Sequence, residues 1–459
     1  MKHETLKPEA SVIDRYHDLL TASPALAADS HEQLTRLQDI RGLFFGTRPL
    51  CTVLRPRFLS PEQYRFLRSR VATLLPAFQK VYERGLADPA FRTQFRLRDW
   101  ENDLLAIDPG YRHPSPTSRF DSFFTSDGQL SFTEFNTETP AGAGYSDSLA
   151  ELFYGLPVFR EFLRTHDAIP IPDKPGVLHA LLDSFEQWRG TRHEPPRIAI
   201  LDWREVPTFS EFILFYDYFK SMGIEVRNVD PRDVEYRDGK LMADDYHITL
   251  IYKRVLISEL IERGGIDHAV VKALRDGAVC MVNSFRCKIL FKKASFAVVS
   301  DERNADLFTA AEHATIAGHI PWTRVVEDRK TVLDGEPVDL VPFVLANKDR
   351  FVLKPNDDYG GHGIVLGWTV DQSTWEASVQ TALAEPFVVQ QKVTLSSEPY
   401  AGFEDGTLRV IDRLQDTNPF VAFGTHMHGV LTRISTEQLV NVTAGGGSTV
   451  PTFIVEARE

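Results

Sequence analysis

The stretch Arg119-Phe-Asp-Ser-Phe-Phe-Thr-Ser-Asp-Gly-Gln-Leu-Ser-Phe-Thr-Glu-Phe-Asn-Thr-Glu138 holds two runs of alternating apolar and polar residues, 119–124 and 130–136, split by Ser126-Asp127-Gly128. A period of two with a glycine turn between the runs predicts a β-hairpin. Residues two apart on a strand face the same side, so Glu134 and Asn136 point together and pairing brings Asp121 opposite them. Two carboxylates and an amide oxygen make a hard-oxygen set, suited to Mg2+ held jointly with substrate phosphates. Arg119 projects from the same face, where an anion or developing negative charge would meet it. The alternative for such a hairpin is a solvated polar face. The exit Thr139-Pro140-Ala-Gly-Ala-Gly144 weighs against that alternative, because its small residues admit a close neighbour.

Three later segments carry chemistry of a related kind. In Phe351-Val-Leu-Lys354-Pro355-Asn-Asp-Asp358-Tyr-Gly360-Gly361-His-Gly363, an apolar strand delivers a lysine into a polar, glycine-rich turn. An ammonium beside glycine N–H donors suits an α/β-phosphate. It is not the Walker pattern, and a tight hairpin with glycines at positive φ is the plain alternative. Phe387-Val-Val-Gln390-Gln391-Lys392-Val393 is a hydrophobic strand with a polar end, able to offer backbone hydrogen bonds to an adenine edge; a plain buried strand is its alternative. Gly429-Val-Leu-Thr-Arg433 is a strand bearing an arginine. The glycine loop Thr443-Ala-Gly-Gly-Gly447-Ser448 follows and is read either as a flap over substrate or as a surface loop. His426 and His428 share a strand face without a third ligand nearby and are read as packing or surface residues.

The 459 residues are 43% hydrophobic and 25% charged, enough for a large core or two to three packed subdomains. A net charge of −13 argues against nucleic-acid and anionic-membrane partners, which both require a basic face. Cys51, Cys280 and Cys287 lack a CxxC pair, which leaves no disulfide framework or zinc site. With a polar start and no run of ~20 apolar residues, the expected location is cytoplasmic. The first hundred residues read as helices, for example 60–87 with Pro61 at the first helical position. After Pro195-Pro196 comes a βαβ unit: strand 198–203, helix 209–222 closed by Gly223, strand 224–229. Phe212, Ile213, Tyr216 and Phe219 are assigned to one face of that helix, and 248–252 and 279–282 are further strands of the same parallel sheet. Arg204 and Arg254, near strand ends, are either acidic-substrate binders or surface residues. The expected division is 1–114 helical, 115–195 first part of a core with the hairpin, 196–282 inserted βαβ unit, and 283–459 lid and remainder of the core.

Taken together, these motifs resemble the circularly permuted ATP-grasp superfamily, with glutathionylspermidine synthase-like proteins and eukaryotic-type glutathione synthetases as the nearest relatives. Arg119-x-Asp121 with Glu134-x-Asn136 is similar to that family's R-x-D…E-x-N motif, and Val352-Leu-Lys354-Pro355 to its phosphate strand. Glu134 precedes Lys354, with the βαβ unit between them, which is the permuted order. The resemblance implies an α/β (α+β) fold with a permuted ATP-grasp core, a small Rossmann-like substrate subdomain and a helical N-terminal region. It also implies a Mg·ATP-dependent ligase that joins a carboxylate to an amine through an acyl phosphate, releasing ADP and phosphate. The substrates would be small molecules of amino-acid, peptide or polyamine class, and family analogy suggests a homodimer. ATP contacts then fall on Lys354, Gly360, Gly361, Gln390, Gln391, Lys392, Val393 and one of Lys292 and Lys293. Metal contacts fall on Asp121, Glu134, Asn136 and Asp358, and the catalytic arginines are Arg119 and Arg433. Asp358 stands where such proteins carry glutamate, as does Gln391. No amidase-type cysteine region precedes the ligase portion. The rival readings are a phosphotransferase and a non-catalytic nucleotide-binding module.

Overall fold

A computed structural model describes residues 10–191, 193–358, 360–437 and 447–458. The strands Thr117–Phe124 and Leu130–Asn136 pair antiparallel, with Arg119 opposite Asn136 and Asp121 opposite Glu134. One residue further on, the register slips: Ser122 faces Phe132, and Thr133 is left as a bulge. The bulge rephases the second strand, so that Phe132 and Phe135 are both buried while Glu134 and Asn136 share the opposite face. Phe120, Phe124, Phe132 and Phe135 pack on the long helix Pro61–Ala87, Phe78 meeting the Phe120 and Phe135 rings at 5.5 and 5.1 Å. Ser60 caps that helix with a reciprocal Gln63 contact, and proline takes a first-turn position where no N–H is needed.

The hairpin forms one edge of a seven-stranded sheet. From the far edge, the order runs Ser396–Glu404, Thr407–Gln415, His426–Ser435, Asn418–Ala422, Thr117–Phe124 and Leu130–Asn136, and Gly447–Val450 also pairs with His426–Ser435. The positions 443–446 of the expected glycine flap lie outside the described residues. A separate antiparallel sheet is ordered Thr323–Val325, Phe387–Gln391, Phe351–Pro355, Val365–Leu366. Its last two strands are joined through the glycine-rich turn, where Gly360, Gly361 and Gly363 all adopt positive φ.

Strands Cys280–Val282, Leu250–Lys253, Arg197–Leu201 and Glu225–Val229 form an all-parallel sheet in that order. The connecting helix Phe209–Ser221 buries Phe212, Phe215 and Phe219, whereas Ile213 is 46% exposed. The face assigned from sequence was therefore rotated. The i, i+3, i+7 spacing of three phenylalanines outweighs the Ile213/Tyr216 pair, which sits about 100° away on the helix surface. The first hundred residues are not wholly helical either, since Arg57–Leu59 pairs parallel with the late strand Thr452–Ala457, which in turn pairs with His166–Pro170.

Beneath the His426–Ser435 strand lies a buried acid. Asp173 is fully buried, and neither of its carboxyl oxygens has a hydrogen-bond partner. A glycine makes its room: a Cβ at Gly429 would fall 1.2 Å from Asp173 Oδ1. Burial, then the charges of Asp147 and Glu211, push its pKa well above the usual range, against a smaller pull from Arg119. A carboxyl whose folded pKa is raised stabilises the fold in its protonated form, and that contribution drains away as pH rises from about 4 toward the folded value, at ~1.4 kcal/mol per pH unit. Asp173→Asn removes the titration. The variant should gain melting temperature over wild type at pH 8, with a smaller gain at pH 5. An equal shift at both values would mean that Asp173 does not titrate in this way.

Candidate active site

A cavity of about 420 Å3 opens between the hairpin face and the four-stranded antiparallel sheet. The large sheet contributes Arg119, Asp121, Glu134, Asn136 and Arg433 to its wall, and the smaller sheet and its turn contribute Lys354, Gly360, Gly361, Gln390, Gln391, Lys392 and Val393. Segments more than two hundred residues apart thus face one space. Apolar side chains, among them Val352, Ile364, Leu366, Leu395 and Leu414, line its remainder with Trp368, over whose ring Lys392 Nζ sits at 4.1 Å. Such a slot fits a flat heteroaromatic ring. At the end of the Phe387–Gln391 strand, Gln391 N–H donates to Trp322 O and Lys392 N–H to Arg350 O. Those two amides hold the polar end of the strand, the 391–393 linker, in place.

The polar end is organised around Asp121. Arg119 Nε and Asn136 Nδ2 donate to its Oδ1 at 2.8 and 2.9 Å, and Arg119 and Arg433 each donate a terminal nitrogen to its Oδ2, at 3.2 and 2.8 Å. Burial opposes its ionisation, but Arg119 and Arg433 outweigh burial and hold the carboxyl well below the usual range. Asp416 then takes Arg433 from the other side, accepting from its Nε at 2.6 Å and its backbone N–H at 2.7 Å. Arg119 is completed by Ala141 O at 2.5 Å, on the small-residue exit of the hairpin. Both guanidiniums are held by fixed carboxylates. Asp416 and its neighbour Asn418, whose Oδ1 accepts from Ser122 N–H, were not singled out from sequence. Gln415-Asp416-Thr417-Asn418-Pro419 reads as a polar turn, and only pairing across the sheet turns it toward the site.

Of the two candidate lysines, Lys293 reaches the cavity side. Its Nζ lies 3.2 Å from Glu134 Oε1 and donates to Asp358 O at 2.5 Å. Lys292 turns the other way, into buried contacts with Glu101 and Asp357 at 2.8 and 2.7 Å. Lys354 donates to Gln390 Oε1 at 2.7 Å and to Thr133 O at 3.4 Å, next to Glu134 in the chain. Burial pushes its ammonium down to about 8, with Glu134 pulling upward and Lys293 downward.

The donor set can be tested against Mg2+. Asp121 already receives four hydrogen bonds and has no lone pair to spare without releasing one of these donors. Glu134 keeps one oxygen outside its lysine contact, and with its amide nitrogen on Asp121, Asn136 retains its carbonyl oxygen. One carboxylate and one amide oxygen suit a Mg2+ ion that takes its other ligands from phosphates and water. Among the described residues no group of three His, Cys, Asp or Glu side chains could hold a metal alone. Asp358 is tied to the site through its carbonyl.

A second cavity of about 310 Å3 shares Arg119, Asn136, Gly360 and Arg433 with the first. Its other walls include Asp202, Arg254 and Leu256, from the loops at the carboxyl ends of two parallel strands, with Tyr145 from the helix Ala143–Phe153 and Glu259 from the helix Ile257–Gly264. Arg254 is buried, bonded to Pro140 O and Glu211 at 2.7 and 3.0 Å. Arg204 is exposed and pairs with Asp230 and Asp233. Burial pushes the Asp202 carboxyl up to about 7, Arg254 pulling down and Glu259 adding to the rise. Asp202 and Glu259 were not singled out from sequence. No helix among the described residues is long and apolar enough to cross a membrane.

No protein-family model matches the chain. A protein of Frankia alni provisionally named glutamate–cysteine ligase 2-3 is 23% identical over an alignment of 482 residues, taking in 97% of this chain and 53% of its own length. A second, from Frankia casuarinae and provisionally named glutamate–cysteine ligase 2-2, is 23% identical over 440 residues, 90% of this chain and 48% of its own length. The chain therefore spans about half the length of the curated relatives it matches. Among solved structures, a glutathione synthetase-like effector from Globodera pallida superposes with a TM-score of 0.57 at 12% identity, over 92% of this chain and 96% of its own. The chain has a mixed α+β fold of the glutathione synthetase-like kind.

Proposed function

We propose that the protein is an ATP-dependent ligase of the permuted ATP-grasp type, forming an amide between a small-molecule carboxylate and an amine and releasing ADP and phosphate. The observation that carries this reading is the meeting of Glu134 and Lys354 in one cavity, with Arg119 and Arg433 in the wall it shares with a second. The names of the relatives support the same class and make glutamate and cysteine the first acid and amine to try.

In this reading the adenine lies in the apolar slot against the 391–393 linker, and the phosphates run toward Lys354 and Lys293. A Mg2+ ion between Glu134, Asn136 and the phosphates would supply charge neutralisation. Arg119 and Arg433 hold the substrate carboxylate at the junction of the cavities, in line with the terminal phosphate, so that its oxygen takes the phosphoryl group. Because both guanidiniums are fixed by Asp121 and Asp416, little reorganisation opposes the step. The amine enters from the second cavity, where Asp202 and Glu259 suit an ammonium group; it gives a proton to the Asp202 carboxylate, and the neutral amine then attacks the acyl carbon and displaces phosphate. The glycine turn and its neighbours keep water from the activated acyl group.

Glu134→Gln should lower substrate-dependent ADP release by on the order of 10^2–10^4-fold while melting temperature changes little. Hydroxylamine added to wild type should yield a hydroxamate of the acid substrate. Phosphate transfer without hydroxamate would instead indicate a phosphotransferase, and undiminished turnover in the Gln variant ends the ligase reading.

Lys354 gives a pH test. A phosphate binds its charged form, so as pH rises through about 8 the free protein loses the ammonium and ATP affinity falls, by up to tenfold per unit. In Lys354→Arg, which stays charged, the break near pH 8 should vanish. Calorimetric ATP titrations from pH 6.5 to 9.5 measure both; parallel curves for the two proteins would remove Lys354 from the phosphate site.

A further inference from the structure

Behind the first cavity, three lysines and three acids are buried together. Lys288 Nζ lies 2.6 Å from Asp357, 3.2 Å from Glu138 and 3.4 Å from Glu101. Lys292 joins Glu101 and Asp357, and Lys253 sits 3.7 Å from Glu138. The charges balance, and the side chains are nearly inaccessible to solvent. Desolvating six charges is costly, and well-packed apolar residues of similar volume commonly serve stability as well or better. Stability alone is therefore a poor account of this cluster, and its location supplies another.

Asp357 opens the glycine-rich turn, and residues 288–294 grip its root from several sides. Lys288 and Lys292 take the Asp357 carboxylate; Lys293 N–H donates to Asn356 O at 3.0 Å, and Ala294 N–H to Asn356 Oδ1 at 2.9 Å. Lys293 Nζ donates to Asp358 O while it faces Glu134. Burial opposes ionisation of Asp357, but the two lysines outweigh it and keep it charged. The root is thus docked on the junction between the helices Lys288–Phe291 and Ala294–Ser300 that carries Lys293, and Gly360, Gly361 and Gly363 beyond it all adopt positive φ.

We infer that Asp357 is a positioning residue: held by Lys288 and Lys292, it fixes the root of the glycine turn and, through it, Lys293 against Glu134 in the wall of the nucleotide cavity. Lys292 then serves the site through Asp357 and touches no phosphate. The inference rests on the nucleotide reading given above.

The test uses the full chain and the non-hydrolysable analogue AMP-PNP with Mg2+, with binding followed by calorimetry beside melting temperature. Asp357→Asn leaves one lysine unbalanced and should both lower the melting temperature and weaken AMP-PNP by tenfold or more. Asp357→Asn with Lys292→Met restores neutrality. It should recover most of the lost melting temperature while AMP-PNP binding stays at least tenfold weak and amide exchange of 360–366 rises. Where that pair recovers poorly, Asp357→Asn with Lys288→Met is the second balanced pair, with the same expectation. Recovery of stability and affinity together in a balanced variant overturns the inference, because the cluster would then be structural only. Wild type that binds no AMP-PNP overturns the nucleotide reading itself, and the inference falls with it.

Discussion

The Asp121 carboxylate is the constraint from which the rest of the site follows. It joins two guanidiniums from strands far apart in sequence, Arg119 and Arg433, and takes the Asn136 amide as well. Two cations at such separation repel, and burial raises the cost of that repulsion. A carboxylate between them, with Asp416 behind Arg433, turns the repulsion into a rigid pair. Both guanidiniums are thereby fixed where the two cavities meet. The same saturation that makes Asp121 a good anchor makes it a poor metal ligand, which leaves Glu134 and Asn136 as the oxygen donors of the face.

The opposing wall follows a different rule. Lys354 and Lys293 carry fewer fixed partners: an amide oxygen and two carbonyls for the two ammonium groups, with Glu134 as the nearest carboxylate. A chain with net charge −13 thus gathers Arg119, Arg433, Lys354 and Lys392 around one space, with Lys293 beside them on Glu134. The arginine wall is pre-paired and rigid, whereas the lysine wall is underpaired and partly neutralised by desolvation, as the depressed Lys354 shows. A polyanion arriving from solvent has most to gain on the lysine side, where it replaces weak neutral acceptors. On the arginine side it must fit a geometry already set.

Much of this was legible in the sequence, and the gaps have physical causes. Period-two alternation, the turn residues and the i, i+2 rule give the hairpin and the shared face of Glu134 and Asn136. The bulge was also written there: Leu130 and Phe132 keep one phase and Phe135 the other, a slip that pairs both aromatics with the core only if one residue loops out. Lys354 and its glycines announce themselves because a charged residue ends an apolar strand. The choice between Lys292 and Lys293 could not be read. The two lysines form the break between the helices Lys288–Phe291 and Ala294–Ser300, where Lys292 leaves helical geometry at ψ 129°, and which side chain meets the cavity depends on Asp357 and Glu101, both distant in sequence. Asp416 and the second cavity were hidden for the same reason, since their residues meet only through sheet pairing and the docking of the parallel strands.

The free-state contacts of the site also bear on how it responds to a ligand. Glu134 is held by Lys293, and Lys354 by Gln390, so each group that a nucleotide would need already has a partner of the right polarity. These are substitutes of lower charge or greater exposure than a phosphate–cation pair, and exchanging them costs less than desolvating bare ions would. Releasing Lys293 from Glu134 loosens one of its two holds, the other being the Asp358 carbonyl at the root of the glycine turn. A phosphate that draws Lys293 toward itself therefore pulls on the Asp358 carbonyl, one residue beyond the anchored Asp357. In the proposed reading, occupation of the oxygen face and movement of the glycine turn are linked through a single ammonium group, with the buried Lys288–Lys292–Asp357 cluster as the fixed point against which the turn moves.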